Sequence, residues 1–201
     1  MKKTFPTKGE ITRNKVLKSA QRLFFLNGYH RTSVDDILRD SKVKKGNFYF
    51  HFKSKEALGY AVIDLYSAFF RENLNEMIQG NGTSIGKILS FFSKGEKHLA
   101  KNGCLIGCPF GNFALEMSDV HDGFRERVDQ IFDEWAHQMN LVLREGKQKG
   151  EIRKEVDTKA LSHLLVAVAE GATLLVKAKK NTSVYRACAR SLRAMLEHSQ
   201  V

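Results

Sequence analysis

A chain of 201 residues with 42% hydrophobic and 27% charged side chains has the balance of a globular protein, which excludes a disordered or fibrous one. It contains no run of 18 uncharged apolar residues and no apolar stretch behind its N-terminal lysines, so neither a membrane span nor a secretory signal is expected; three cysteines, an odd number, fit a reducing cytoplasm better than a disulfide framework. The formal net charge of +11 is unevenly spread: residues 1–55 hold 14 Lys and Arg against 4 Asp and Glu, whereas residues 56–201 hold 19 against 18. A basic head on a neutral body marks a polyanion-binding module joined to a second function. Nucleic acid suits it better than an anionic membrane surface, because the apolar faces of the head are needed for its own core.

With only Pro6 and Pro109 to break helices, the elements read as helical throughout. Residues 10–27 place Val16, Leu17, Ala20, Leu23 and Phe24 on one stripe, ended by Gly28. Ser33 opens a short second helix, with Asp36 spaced for a capping box and Val34, Ile37 and Leu38 turned inward. Residues 41–43 make a tight connection to a third helix over 44–50. Val43 and Phe48 face its core, Phe50 and Phe52 are expected to join them in preference to stacking on bases, and Lys44, Lys45, Asn47, Tyr49 and His51 are left outside. Ser54 caps a long helix from Lys55 to Asn81-Gly82 along Ala61, Val62, Leu65, Phe69, Leu74 and Met77. Further helices follow over 83–101, 112–117, 122–149, 157–179 and 183–198, with a glycine-rich break at 103–111; no strand is expected.

Two short helices joined by a tight turn, packed on a preceding helix and carrying lysines, describe a helix-turn-helix, whose second helix enters the major groove of DNA. The stretch Gly28-Tyr29-His30-Arg31-Thr32-Ser33-Val34-Asp35-Asp36-Ile37, followed by Val43-Lys44-Lys45-Gly46-Asn47-Phe48-Tyr49-Phe50-His51-Phe52-Lys53-Ser54-Lys55-Glu56-Ala57-Leu58, resembles the DNA-binding domain of the TetR family of repressors. The resemblance implies an all-α fold of about nine helices, a three-helix head over residues 1–53, and a helical ligand-binding and dimerisation body over 54–201. It also implies a recognition helix whose groove-facing start is Lys45, Gly46 and Asn47, with Asn47 suited to an adenine edge and Lys45 to a guanine edge, and Lys44 as a further DNA contact. Tyr49 and His51, Thr32 and Ser33, and Lys55 would meet phosphates. Ser33 is also a helix cap in any protein, and the lysines could be a solvated face.

The body is rich in aromatic residues, which can enclose a partly apolar small-molecule effector. Phe69, Phe92, Cys104, Cys108, Phe110, Asn112, Phe113, Glu116, Trp135 and His163 are the candidate lining. Cys104 and Cys108, four apart, could meet on a helix; buried small hydrophobes, a redox- or electrophile-sensing pair, and a metal site are the three readings of them. The last two helices resemble the family's dimerisation bundle, which implies a homodimer through Leu164, Val168, Gly171, Leu175, Cys188, Leu192 and Met195 and a pseudo-palindromic operator in double-stranded DNA. No cofactor or metal is expected. The chain lacks HExxH, Walker and GxGxxG motifs, so the rivals to a regulator are a thiol enzyme using Cys104 and Cys108 and a ligand-free architectural protein.

Overall fold

The computed structural model describes residues 6–198; the limits of the expected domains at 1 and 201, and the start of the segment read as non-secretory, lie outside the described residues. Helices run in the order α1 (Lys8–Asn27), α2 (Val34–Ser41), α3 (Lys45–His51), α4 (Lys55–Gln79), α5 (Ser84–Lys101), α6 (Pro109–Met117), α7 (Asp122–Gln148), α8 (Thr158–Lys179) and α9 (Ser183–His198), with no strand among the described residues.

Local chemistry sets most of the boundaries. The expected start of α1 at residue 10 is two residues late, because Thr7 and Glu10 form a complete capping box. α6 also begins early. Pro109 occupies its first turn, where a missing N–H costs nothing, so the expected break ends at Cys108 and not at Gly111.

The apolar side chains form two clusters. The first joins Val16, Ala20 and Phe24 of α1, Ile37 of α2, Phe48 of α3 and Phe52 to Leu58 and Val62 of α4, Phe110 and Phe113 of α6, and Phe124 of α7. The core of the head therefore continues into the body without a break at residue 53. The second holds Leu74 and Met77 of α4, Ile88 and Phe92 of α5, Met139 and Leu143 of α7, Leu165 and Ala169 of α8, and Tyr185 and Leu192 of α9. Phe70 and Phe132 pack against both clusters and mark the seam between them.

The 25 residues of α4 span roughly 37 Å and cross from the first cluster to the second. Its inner face differs from the expected stripe: Leu65 and Phe69 are exposed, while Tyr66 and Phe70, one residue further round, turn inward. Near its start α4 lies tight against its neighbours. A Cβ on Gly59 would come within 2.8 Å of both the Tyr29 and Phe124 rings, so this crossing requires glycine.

Among the described residues α8 is long and apolar enough to cross a membrane by length and composition, with mean hydropathy 1.5 and a third of that window buried. Glu170 interrupts the apolar run, which is why an uninterrupted stretch was not expected. Part of this apolar surface faces α7 and α9, and the rest is uncovered.

Candidate nucleic-acid interface and body cavity

The helix-turn-helix is locked by short-range chemistry. Ser33 Oγ accepts from Asp36 N–H at 3.1 Å, and Asp36 Oδ2 accepts from Ser33 N–H at 2.9 Å and from its hydroxyl at 2.6 Å. Those bonds, the hydroxyl's first, hold the Asp36 carboxyl below its ordinary range. Lys42 closes α2 in the left-handed region at φ 56°. Ser19 Oγ donates to Asp40 Oδ2 at 2.6 Å, and Arg22 also pairs with Asp40, tying α2 to α1. Arg13 stacks over the Phe52 ring at 5.3 Å.

α3 rests on the wholly buried Phe48 and presents the rest of its surface to solvent. Lys44, Lys45, Gly46, Asn47 and Tyr49 are exposed, as is Ser33 beside them, and His51 is half-buried. These predicted contact residues thus remain accessible to solvent. Two others differ. Thr32 is wholly buried, its hydroxyl donating to the Gly28 carbonyl at 2.8 Å, so its side chain cannot reach a phosphate. The Lys55 ammonium folds back over the Tyr29 ring, 4.3 Å from its centroid, and lies 3.4 Å from the His30 carbonyl. Burial lowers its pKa, and Glu116 opposes that shift. Phe50, expected in the core, is 77% exposed. Helical spacing carries the signal for that correction, since a residue two positions past the buried Phe48 lies on the far side of the helix.

In the body, Phe92, Cys104, Phe110, Phe113 and Trp135 are buried in the two clusters. Phe69 and His163 are exposed and line nothing central; both are corrections. At the seam, Trp135 packs edge-on to Phe70 at 5.0 Å and tilted against Phe91 at 5.9 Å, and Phe70 meets Phe110 at 5.6 Å. The Trp135 Nε1 donor is buried there without a partner. No local sequence pattern separates the inward Phe70 from the exposed Phe69. A narrow cleft lies between α1, α4 and α6, with Tyr66, Asn112, Phe113 and Glu116 in its wall.

The polar candidates have partners. Asn112 Oδ1 accepts from Lys177 Nζ at 3.2 Å, and a Glu116 carboxylate oxygen accepts from the His30 N–H at 3.1 Å. Cys104 and Cys108 do not share a helix. Cys104 is buried in a left-handed turn at φ 57°, residues 105–108 are non-helical, and Cys108 caps α6. Burial first, and then the charge of Glu170, push the Cys108 thiol well above its ordinary value, so it stays protonated and weakly nucleophilic at neutral pH.

The predicted interface residues divide similarly. Leu164, Gly171, Leu175 and Met195 are exposed, and Leu174 and Ala167 lie among them on α8. Val168 and Cys188 are partly buried against the body. Leu192 is 2% exposed within the protomer's own core, which removes it from any interface.

A lysine-bearing helix braced by two others and joined to a larger helical body defines a helix-turn-helix, DNA-binding transcription regulator. Residues 16–62 match the family described as bacterial regulatory proteins, tetR family, and residues 84–192 match the tetracyclin repressor-like C-terminal domain. The chain belongs to the TetR family. It is 30% identical to the transcriptional regulator AcuR of Cereibacter sphaeroides, over 75% of this chain and 69% of that protein. It is 29% identical to the HTH-type transcriptional repressor DhaR of a Mycobacterium species, strain GP1, over 84% of each. The crystal structure of a TetR transcriptional regulator from Chloroflexus aurantiacus shares its fold with a TM-score of 0.88 at 31% identity, covering 96% of this chain and 98% of that one.

Proposed function

We propose that the protein is a non-enzymatic repressor acting in the bacterial cytoplasm. It binds a pseudo-palindromic duplex operator as a homodimer and leaves it when a small, partly apolar effector enters the body. The observation that carries the effector is the unpartnered Trp135 Nε1 donor inside an aromatic seam. A buried donor without an acceptor costs about 1–3 kcal/mol, which a mostly apolar molecule bearing one carbonyl or carboxylate oxygen would recover. A protonated, half-buried Cys108 favours such a bound effector over a reactive thiol.

The route to DNA is α4 and α6. α4 contributes Phe70 to the seam and Leu58 to the head's cluster, and α6 runs from Phe110 beside the seam to Glu116 against His30. An effector that binds more tightly when the seam is opened biases the heads toward a separation that no longer fits two half-sites. The uncovered side of α8, with Leu164, Gly171, Leu174 and Leu175, is the proposed dimer face. Thr32 and Lys55 drop out of the direct contacts, leaving Ser33, Lys44, Lys45, Gly46, Asn47, Tyr49 and His51.

Trp135 is the chain's single tryptophan, so its fluorescence reports on the seam directly. The test titrates a panel of small aldehydes, ketones, esters and carboxylic acids against the protein bound to a duplex it has itself selected from a random pool. An effector should shift Trp135 emission and release the duplex over the same concentration range, and Trp135→Phe should keep duplex binding while weakening release about tenfold. Release that is indifferent to this substitution rejects the seam as the effector site.

A further inference from the structure

The ridge of α3 facing directly away from the core is made by two residues. At about 100° per residue, Gly46 and Phe50 lie two positions either side of the wholly buried Phe48 and therefore opposite it, whereas Asn47 and Tyr49 stand on the flanks. The exposures follow this placement: Phe48 is 0% exposed and Phe50 77%. One turn before Phe50, nothing lies within 4 Å of the position a Gly46 Cβ would take. The crest is thus a flat step followed by a projecting phenyl ring. That ring stands edge-on to the His51 imidazole, centroids 5.0 Å apart at 86°.

A phenyl group this exposed contributes little to folding and carries no hydrogen-bonding atom. It can satisfy neither a phosphate nor a donor or acceptor on a base edge. The apolar group that the major groove presents is the C5 methyl of thymine. The surroundings decide between DNA and an apolar protein partner. Lys44, Lys45 and Lys53, all within six residues of Phe50 in the sequence, are exposed, and the first 55 residues hold nearly all the excess positive charge of the chain. A hydrophobic partner would have to bury those ammonium groups, whereas a duplex neutralises them.

We propose that Phe50 is a specificity-determining residue that recognises a thymine through its 5-methyl group. This rests on the reading of α3 as the groove-entering helix. It adds an apolar reader to the polar flanks, placed so that Gly46 leaves room for the base pairs before it.

The test uses the full-length protein and a duplex enriched by that protein from a randomised pool. Each thymine of the enriched sequence is replaced in turn by deoxyuridine, which removes the methyl and leaves base pairing unchanged, and affinity is read by fluorescence anisotropy. For the unaltered protein, one thymine position per half-site should weaken binding about fourfold when its methyl is removed, the loss expected for one buried methyl-sized group. Phe50→Ala should bind the duplex more weakly and show no uracil penalty at that position, while Phe50→Leu should keep part of the penalty. Circular dichroism should show both variants as helical as the parent, since the side chain is outside the core. Two outcomes overturn the proposal: no uracil position affecting the parent, or Phe50→Ala retaining the same penalty at the same position. Failure to enrich any sequence overturns the DNA-reading role of α3 itself, and this proposal with it.

Discussion

The backbone N–H of His30, in the head, donates to the Glu116 carboxylate on α6 at 3.1 Å, and His30 Nε2 lies 3.2 Å from the Glu116 carbonyl oxygen. This is a direct polar link between the body and the segment that precedes the helix-turn-helix. It is tight as well as specific. Gly28, at φ 88°, leaves so little room that a Cβ there would sit 2.8 Å from Glu116 Oε1. The Lys55 ammonium closes the arrangement by approaching the His30 carbonyl. A displacement of α6 therefore reaches the head through fixed contacts.

Glu116→Ala should loosen the head without unfolding the body. The lost bond is partly solvated, so the expected stability cost is about 1 kcal/mol. The diagnostic change is local: hydrogen exchange at the His30 amide should accelerate at least tenfold, while amides in the middle of α7 keep their protection. Glu116→Gln retains an acceptor oxygen and should recover most of the protection. Unchanged His30 exchange in the alanine variant would show that the link does not hold the head.

Gly59→Ala tests the crossing of α4 with the head and α7. In an isolated helix this change gains about 1 kcal/mol. Here the added methyl would meet Tyr29 Cε2 and Phe124 Cζ, both at 2.8 Å, inside a packed aromatic group. Overpacking of that kind costs about 1–3 kcal/mol, so the net effect should be a loss of about 1 kcal/mol, read as a lower urea midpoint with unchanged slope. A stabilised variant would mean that the rings move aside freely.

How much of this was legible in the sequence depended on how local the deciding physics was. Ser33 and Asp36, Ser54, and Asp157 announce helix starts because a cap is a bond between residues two or three positions apart. The lysines of α3 and the charge step at residue 55 needed no fold to be noticed. The burial of Thr32 is not legible in the sequence, because the Gly28 carbonyl that takes its hydroxyl is held in place only once the turn has folded. Leu65 and Phe69 against Tyr66 and Phe70 is a choice between adjacent positions on one helix, made by α5, α6 and α7 packing on one side and not the other. The inward turn of Leu192 follows in the same way from α9 packing against α5 and α8.

Lys87 is a buried ammonium, 9% exposed, donating to the Ile78 carbonyl at 3.1 Å and to Glu145 Oε2 at 3.2 Å. Removing one member of a buried pair strands the other, at a cost of about 3–5 kcal/mol when the pair is sealed. The Glu145 side chain is 34% exposed, so Glu145→Ala should cost about 2 kcal/mol. Lys87→Met should cost less, because Glu145 keeps Lys149 at 2.5 Å and the thioether fills the vacated space. Equal losses for the two variants in chemical denaturation would contradict this asymmetry.

Glu170 on α8 offers a prediction with a defined sign in pH. Burial raises its carboxyl above the ordinary 4.5, and the hydrogen bond from the Cys108 thiol opposes that shift only in part. A carboxyl that is harder to ionise in the folded protein than in the unfolded chain favours folding while it is protonated. That contribution is complete below pH 4.5 and is lost as pH rises through the folded pKa. Glu170→Gln keeps the shape and removes the ionisation. It should match the parent near pH 4 and melt a few degrees higher at pH 7, whereas Cys108→Ala, which deletes the donor, should lower the neutral-pH melting temperature. The space is closely defined, since a Cβ on Gly111 would lie 2.6 Å from Glu170 Oε2, so the carboxylate cannot turn toward α6 to escape. Melting curves of the parent and Glu170→Gln that run parallel from pH 4 to 8 would mean that water reaches this carboxylate in solution.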